Sequence, residues 1–164
     1  MTCIFSPDRR YRYTLQRDWL TGKGLVNFLL LNPSSADEVK NDPTVERCER
    51  RARRMGFAGL VVTNIFAFRA TDPKEMMRQI DPIGYPSNDY HILDQARRCD
   101  MVICGWGNHG KHRFRSASVR KMLCGNGVKL HALRVSKTGE PWHPLYVGYD
   151  VEPTEWIFTK EVLG

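Results

Sequence analysis

Three short, uninterrupted apolar runs constrain this chain more than any other feature. They are "LVNFLLL" (Leu25–Leu31), "GLVVTNIFAF" (Gly59–Phe68) and "DMVICGW" (Asp100–Trp106). An apolar run of this length without alternation marks a strand covered on both faces. "VKLHALRV" (Val128–Val135) reads as a fourth strand. Each run ends in polar residues: "NPSS", "TN", "GWGNHG" and "SKTGEPWHP".

Helix signals fill the gaps between the runs. Asp42 is a suitable N-cap, Pro43 suits the first helical position and Gly56 is a stop. Val45, Cys48, Ala52 and Met55 follow helical spacing between them. "TDPKEMMRQI" repeats the Asp-Pro start, "SNDYHILDQARRC" predicts a helix capped near Ser87 or Asn88, and "GNG" stops "RSASVRKMLC". Strands separated by helices predict an α/β fold, a three-layer αβα sandwich around a mainly parallel four-stranded sheet. "CIFS" and "YRYTLQRDW" predict an added N-terminal β-hairpin. With 164 residues, no internal repeat and no Gly/Ser- or Pro-rich linker, a single domain over 1–164 is expected.

Composition excludes several classes. At 41% hydrophobic and 26% charged the chain is not a disordered or low-complexity sequence. No apolar run approaches the ~18 residues that span a bilayer. The N-terminus lacks the apolar stretch of a signal peptide, so a cytoplasmic location is expected. Five cysteines without a CxxC pair argue against a disulfide framework and against a metal site. The net charge of +7 favours a polyanionic partner. Basic residues cluster in "RCERRARRMG" and in "HGKHRFRSASVRK", which reads either as solvated surface or as a grip on a phosphate backbone.

In an α/β sheet, ligands bind beyond the carboxyl ends of the strands. The four polar endings fall there, and they supply the chemical candidates. Asn32 ends an apolar strand before Pro33; it either holds a water or caps the following loop. Asn64 lies at the end of a buried strand; it either reads the donor–acceptor edge of a base or ties down a neighbouring loop. His143, in a loop stiffened by Pro141 and Pro144, either donates to a developing anion or is a surface histidine. Asp37 and Asp42 are the carboxylates able to position a water or face an oxocarbenium-like centre. Because Asp42 has a rival role as helix cap, Asp37 is the expected free one. Trp106 either packs in the core or stacks on a ligand. Phosphate-loop, dinucleotide, zinc-protease, serine-hydrolase and zinc-deaminase signatures are absent.

Taken together, "LNPSSAD", "DPT", "NIFAFRATDP", "WGNHG" and "GEPWHPLY" resemble the motif set of an uncharacterised bacterial and phage family. The resemblance covers nearly the whole chain. More distantly, the chain resembles the uracil-DNA glycosylase superfamily. In that superfamily one strand ends in Gly-x-Asp/Asn-Pro, a second carries a base-reading Asn, and a late loop carries His-Pro. Leu30 stands where that glycine would be, and Leu145-Tyr146 replaces the usual Ser-Pro after His-Pro.

The resemblance implies a monofunctional DNA glycosylase. Such an enzyme flips a base out of DNA, hydrolyses its N-glycosyl bond and leaves an abasic site, with no metal or organic cofactor. Asn32, Asp37 and His143 would be catalytic. Ser34, Asn64, Phe66 and Trp106 would bind the base. Arg69, Lys111, Arg113, Arg115 and Lys137 would contact DNA. In uracil-specific members a tyrosine blocks the pyrimidine 5-position, where this chain has Ser34. A 5-substituted pyrimidine, such as hydroxymethylcytosine or its glucosylated form, is therefore an expected substrate, with phage defence as the expected setting. Two alternatives remain: a non-catalytic nucleic-acid-binding protein on the same scaffold, and a hydrolase of free nucleosides or nucleotides.

Overall fold

The computed structural model describes residues 2–157 of the chain. Its strands are β1 (Thr2–Phe5), β2 (Arg12–Asp18), β3 (Leu25–Leu30), β4 (Gly59–Asn64), β5 (Met101–Gly105), β6 (His131–Ala132) and β7 (Thr154–Glu155). Its helices are α1 (Pro43–Arg54), α2 (Pro73–Met77), α3 (Ser87–Arg98) and α4 (Arg115–Gly125). Short 3₁₀ segments cover Asn108–Phe114 and Pro144–Tyr146.

The three apolar runs become β3, β4 and β5, which lie side by side and parallel. Within β3 the side chains alternate between two cores. Phe28 and Leu30 pack with Val45, Cys48 and Ala52 of α1. Leu29 packs on the other face with Met76 of α2, Ile92 of α3 and Val119 and Leu123 of α4. Helices on both faces explain why the strands carry no polar alternation. The αβα layering follows from this division.

The sheet itself differs from expectation. It has seven strands in the order β1-β2-β4-β3-β5-β6-β7 and is mixed rather than four-stranded. The N-terminal hairpin forms, but β2 also pairs antiparallel with β4, Leu15 opposite Val62, and so extends the sheet. Otherwise the edge of β4 would leave a row of backbone groups unpaired. The last strand, β7, pairs antiparallel with β6 through two exposed residues and carries no apolar signal. β6 is only two residues long, much shorter than the apolar stretch from Val128 to Val135.

Helix starts follow the punctuation twice. Asp42 accepts from the Val45 amide at 2.9 Å, and Asp72 accepts from the Lys74 amide at 2.9 Å. In α3 neither Ser87 nor Asn88 caps the helix. Asn88 is instead fully buried and donates to the Asn64 carbonyl at 2.9 Å, which ties α3 to the end of β4.

The chain runs from β3 through α1 to β4 on one side, then returns across β3 to β5 on the other. The connections of β3 and β5 thus diverge at their carboxyl ends. That is the switch point at which α/β sheets open a crevice.

Candidate active site at the carboxyl edge of the sheet

A cavity of about 680 Å³ lies over the switch point. The loops after β3, β4, β5 and β6 all contribute to its wall. Arginine side chains hold several of these loops in place from within. Arg12, 2% exposed, donates to the Ala36 carbonyl at 3.0 Å. Arg17 donates to Asn41 Oδ1 at 2.9 Å and to the carbonyls of Asp37 and Lys40. From α1, Arg47 reaches the Pro144 carbonyl at 3.0 Å, and Arg51 reaches the carbonyls of Val147, Gly148 and Val151. A guanidinium presents five donors in a rigid fork, which suits it to satisfy several loop carbonyls at once. Burial pushes Arg12 down to about 10, so it still carries its charge at neutral pH.

These contacts reassign the basic clusters. In "RCERRARRMG", Arg47 and Arg51 pin the loop that follows His143, while Arg50 and Arg53 pair with Glu46 and Glu49 one helical turn back. In the second cluster Arg115 is 3% exposed; it donates to the Ile65 carbonyl at 2.7 Å and pairs with Asp89. Arg115 is therefore no DNA contact, because its head group is buried and spent on the fold. Arg113 donates to the carbonyls of Gln79 and Ile80, both at 2.9 Å. Arg69 donates weakly to the Ser34 and Arg9 carbonyls. Lys111 and Lys137 are exposed.

The cavity brings together Asn32, Ser34, Trp106 and His143 from the sequence candidates. Asn32 donates Nδ2 to the Ala70 carbonyl at 2.8 Å, which links the loops after β3 and β4. Its Oδ1 meets no donor among the described residues. Ser34 shares a 3.2 Å hydroxyl contact with Thr71. Trp106 is 1% exposed and both packs in the core and lines the cavity.

His143 accepts the Leu145 amide on Nδ1 at 3.2 Å. The ring proton of the neutral imidazole then resides on Nε2. Burial pushes its pKa down to about 4; the nearby Asp42 charge opposes that shift but is the smaller influence. At neutral pH His143 is a neutral N–H donor.

Three of the catalytic and base-binding candidates lie outside the lining, as do the five expected DNA contacts. Asp37 turns both ways from expectation: its Oδ1 accepts the amides of Val39 and Lys40, each at 2.8 Å, in a local turn, and those bonds hold its pKa below the usual carboxylate value. Of the two aspartates it is Asp42 that lines the cavity. Its Oδ1 caps α1 while its Oδ2 accepts the Ala36 amide at 3.2 Å, so capping and facing the cavity are compatible. Asn64 is 1% exposed, and its Nδ2 has no partner among the described residues. Phe66 is fully buried in the core beneath α3 and packs near His112, with ring centroids 5.8 Å apart. Neither Asn64 nor Phe66 touches the cavity surface.

Sequence reasoning passed over Glu140. It is 4% exposed and lines the cavity, and it accepts Trp106 Nε1–H at 2.6 Å and Ser116 Oγ–H at 2.9 Å. A charged residue between Gly139 and Pro141, inside an otherwise apolar motif, was the available signal.

The five cysteines are free; Cys48 and Cys104 are buried and their thiol pKa values are raised by desolvation. No described helix is long and apolar enough to cross a membrane.

The fold and site define a three-layer α/β protein with an acid–amide–imidazole cavity at the carboxyl edge of its sheet. The chain belongs to the family described as "Protein of unknown function (DUF1643)", whose model matches residues 12–145. That span includes every element of the cavity except Tyr146. No curated protein and no solved structure matches the chain.

Proposed function

We propose that this protein hydrolyses the N-glycosyl bond of a nucleobase held in the cavity, most naturally a modified base flipped out of DNA. The observation that carries the reading is the meeting of Asn32, Asp42 and His143 in one cavity. Each supplies a distinct requirement of the reaction. Asn32 Oδ1, which meets no donor among the described residues, accepts a hydrogen bond from the attacking water. The Asp42 carboxylate stabilises positive charge that builds on the sugar. His143, a neutral donor, stabilises the base as it departs with the bonding electron pair. Water adds to the sugar carbon, the C–N bond breaks, and the base takes up a proton. The product in DNA is an abasic site.

Aromatic side chains supply the stacking surface. Trp142 and Tyr146 are exposed at the cavity and Trp106 lines it. Ser34 is small and leaves room for a 5-substituent on a pyrimidine. In this reading Lys111 and Lys137 contact phosphates, as the exposed cations that follow Gly110 and Ser136.

One observation favours a second reading, hydrolysis of free nucleosides or nucleotides. Arg47, Arg51 and Arg115 serve the fold, so fewer cations remain for a polymer than the net charge suggests. Oligonucleotides bearing uracil, a thymine mismatch, 5-hydroxymethylcytosine or its glucosylated form separate the readings when assayed beside the matching nucleosides. Alkali-sensitive strand breaks support the DNA reading. Base release from nucleosides only supports the second. Tight, salt-sensitive DNA binding without release of any base would leave a non-catalytic binder.

A further inference from the structure

The cavity wall is electrostatically one-sided. Two carboxylates, Asp42 and Glu140, stand among its lining residues, and among the described residues no lysine or arginine does. This holds although the chain carries a net charge of +7. Among the described lining residues, a phosphate or carboxylate drawn into the cavity would meet negative groups and no balancing cation. The group that belongs there is a donor.

Glu140 gives that donor a location. Its two oxygens are held by neutral partners, the Trp106 indole N–H at 2.6 Å and the Ser116 hydroxyl at 2.9 Å. A carboxylate offers about four lone-pair sites, so two bonds leave acceptor capacity on both oxygens. At 4% exposure, little water reaches it to use that capacity. A buried carboxylate with no cationic partner among the described residues is best matched by further N–H groups. The bond to Trp106 also sets the plane of the indole. Gly110 maintains the arrangement, since a Cβ there would lie 2.2 Å from Trp106 Cδ1.

Nucleobases divide on this property. Cytosine and adenine carry an exocyclic amine, whereas thymine, like uracil, carries a carbonyl at the corresponding position. A carbonyl oxygen against Glu140 would place acceptor against acceptor. We propose that Glu140 is the specificity residue of the cavity: it accepts the exocyclic amine of an amino-bearing base and turns away uracil and thymine. The proposal rests on the reading that the cavity holds a nucleobase, but it does not depend on hydrolysis.

Equilibrium binding tests it apart from turnover. Cytidine, adenosine, uridine and thymidine are titrated into the intact protein, in parallel with trinucleotides that differ only in the central base. The same series is run with Glu140→Gln, which keeps the shape but replaces one acceptor oxygen by a donor NH₂. Wild-type protein is expected to bind an amino-bearing probe at least about tenfold more tightly than its carbonyl counterpart, the scale of one charged hydrogen bond. Glu140→Gln is expected to erase that ratio. A purely structural Glu140 would weaken all probes alike and leave the ratio intact. If Glu140→Gln does not fold, the wild-type ranking decides. Equal affinities, a preference for the carbonyl bases, or no binding of any probe overturns the proposal. Selective binding without base release would uphold it while removing the hydrolase reading. Release of uracil as fast as cytosine would do the reverse.

Discussion

Asn32 donates its amide to the Ala70 carbonyl at 2.8 Å, and this one bond joins the loop after β3 to the loop after β4 at the cavity wall. With a second bond from Nδ2 to the Pro33 carbonyl at 3.2 Å it occupies the donor end of the side chain, and among the described residues no donor meets the acceptor end. Asn32→Ala is expected to lower kcat at least about 100-fold, the scale of a positioned catalytic group. The loss of its two hydrogen bonds, to the Ala70 and Pro33 carbonyls, should cost only about 1–2 kcal/mol of stability. Rates and denaturant unfolding, measured on the same preparation, check both numbers.

His143 makes stability depend on acid. Its folded pKa, about 4, lies below its unfolded value of 6.5 because burial disfavours the charged ring. As pH falls, unfolded chains bind the proton first. The contribution is complete above about pH 6.5 and is lost progressively between there and pH 4, up to roughly 3 kcal/mol. Replacing His143 by Gln should flatten urea midpoints across that window. The acidic limb of kcat should fall near pH 4 for the same reason, rather than near 6.5.

Gly110 has no room for a side chain. Gly110→Ala would drive a methyl into the Trp106 ring, the nearest atom at 2.2 Å, and cost about 1–3 kcal/mol as overpacking. Tryptophan fluorescence should change together with the melting temperature, because the Trp106–Glu140 bond is strained by the same shift.

The basic residues should separate into two groups. Arg115→Ala breaks a part-buried ion pair with Asp89 and a buried bond to the Ile65 carbonyl, for about 2–3 kcal/mol of stability. Lys111→Ala and Lys137→Ala should leave stability within about 0.5 kcal/mol. If DNA is the substrate, each should lower affinity across all sequences and reduce the salt slope by about 1.

Much of this architecture is legible in the residues. Asp42-Pro43 and Asp72-Pro73 announce two helices, and the runs in β3, β4 and β5 announce buried parallel strands. The polar endings of β3 and β5 and the segment after β6 place Asn32, Trp106 and His143 at one edge of the sheet. What stayed hidden has physical causes. A sequence shows how many arginines cluster, not which way they point, and Arg47, Arg51 and Arg115 point at carbonyls of the fold. The cap signal at Asp42 concealed its second oxygen, and so Asp37 looked like the free carboxylate. Asn64 ends an apolar strand as a base reader would, yet it is buried and does not line the cavity. The strand β7 is held by backbone pairing rather than apolar burial, so no pattern marks it.

The central claim is that the cavity breaks N-glycosyl bonds, and chromatographic detection of free base tests it most directly. Wild-type protein, Asn32→Ala and His143→Ala are each incubated in excess over DNA containing a single modified cytosine and over the matching nucleoside. Base released by the wild type in one turnover, and slowed at least about 100-fold in both variants, is the expected result. Release that persists unchanged in the two variants would place the chemistry elsewhere. No release from any substrate by a folded wild-type protein would contradict the account.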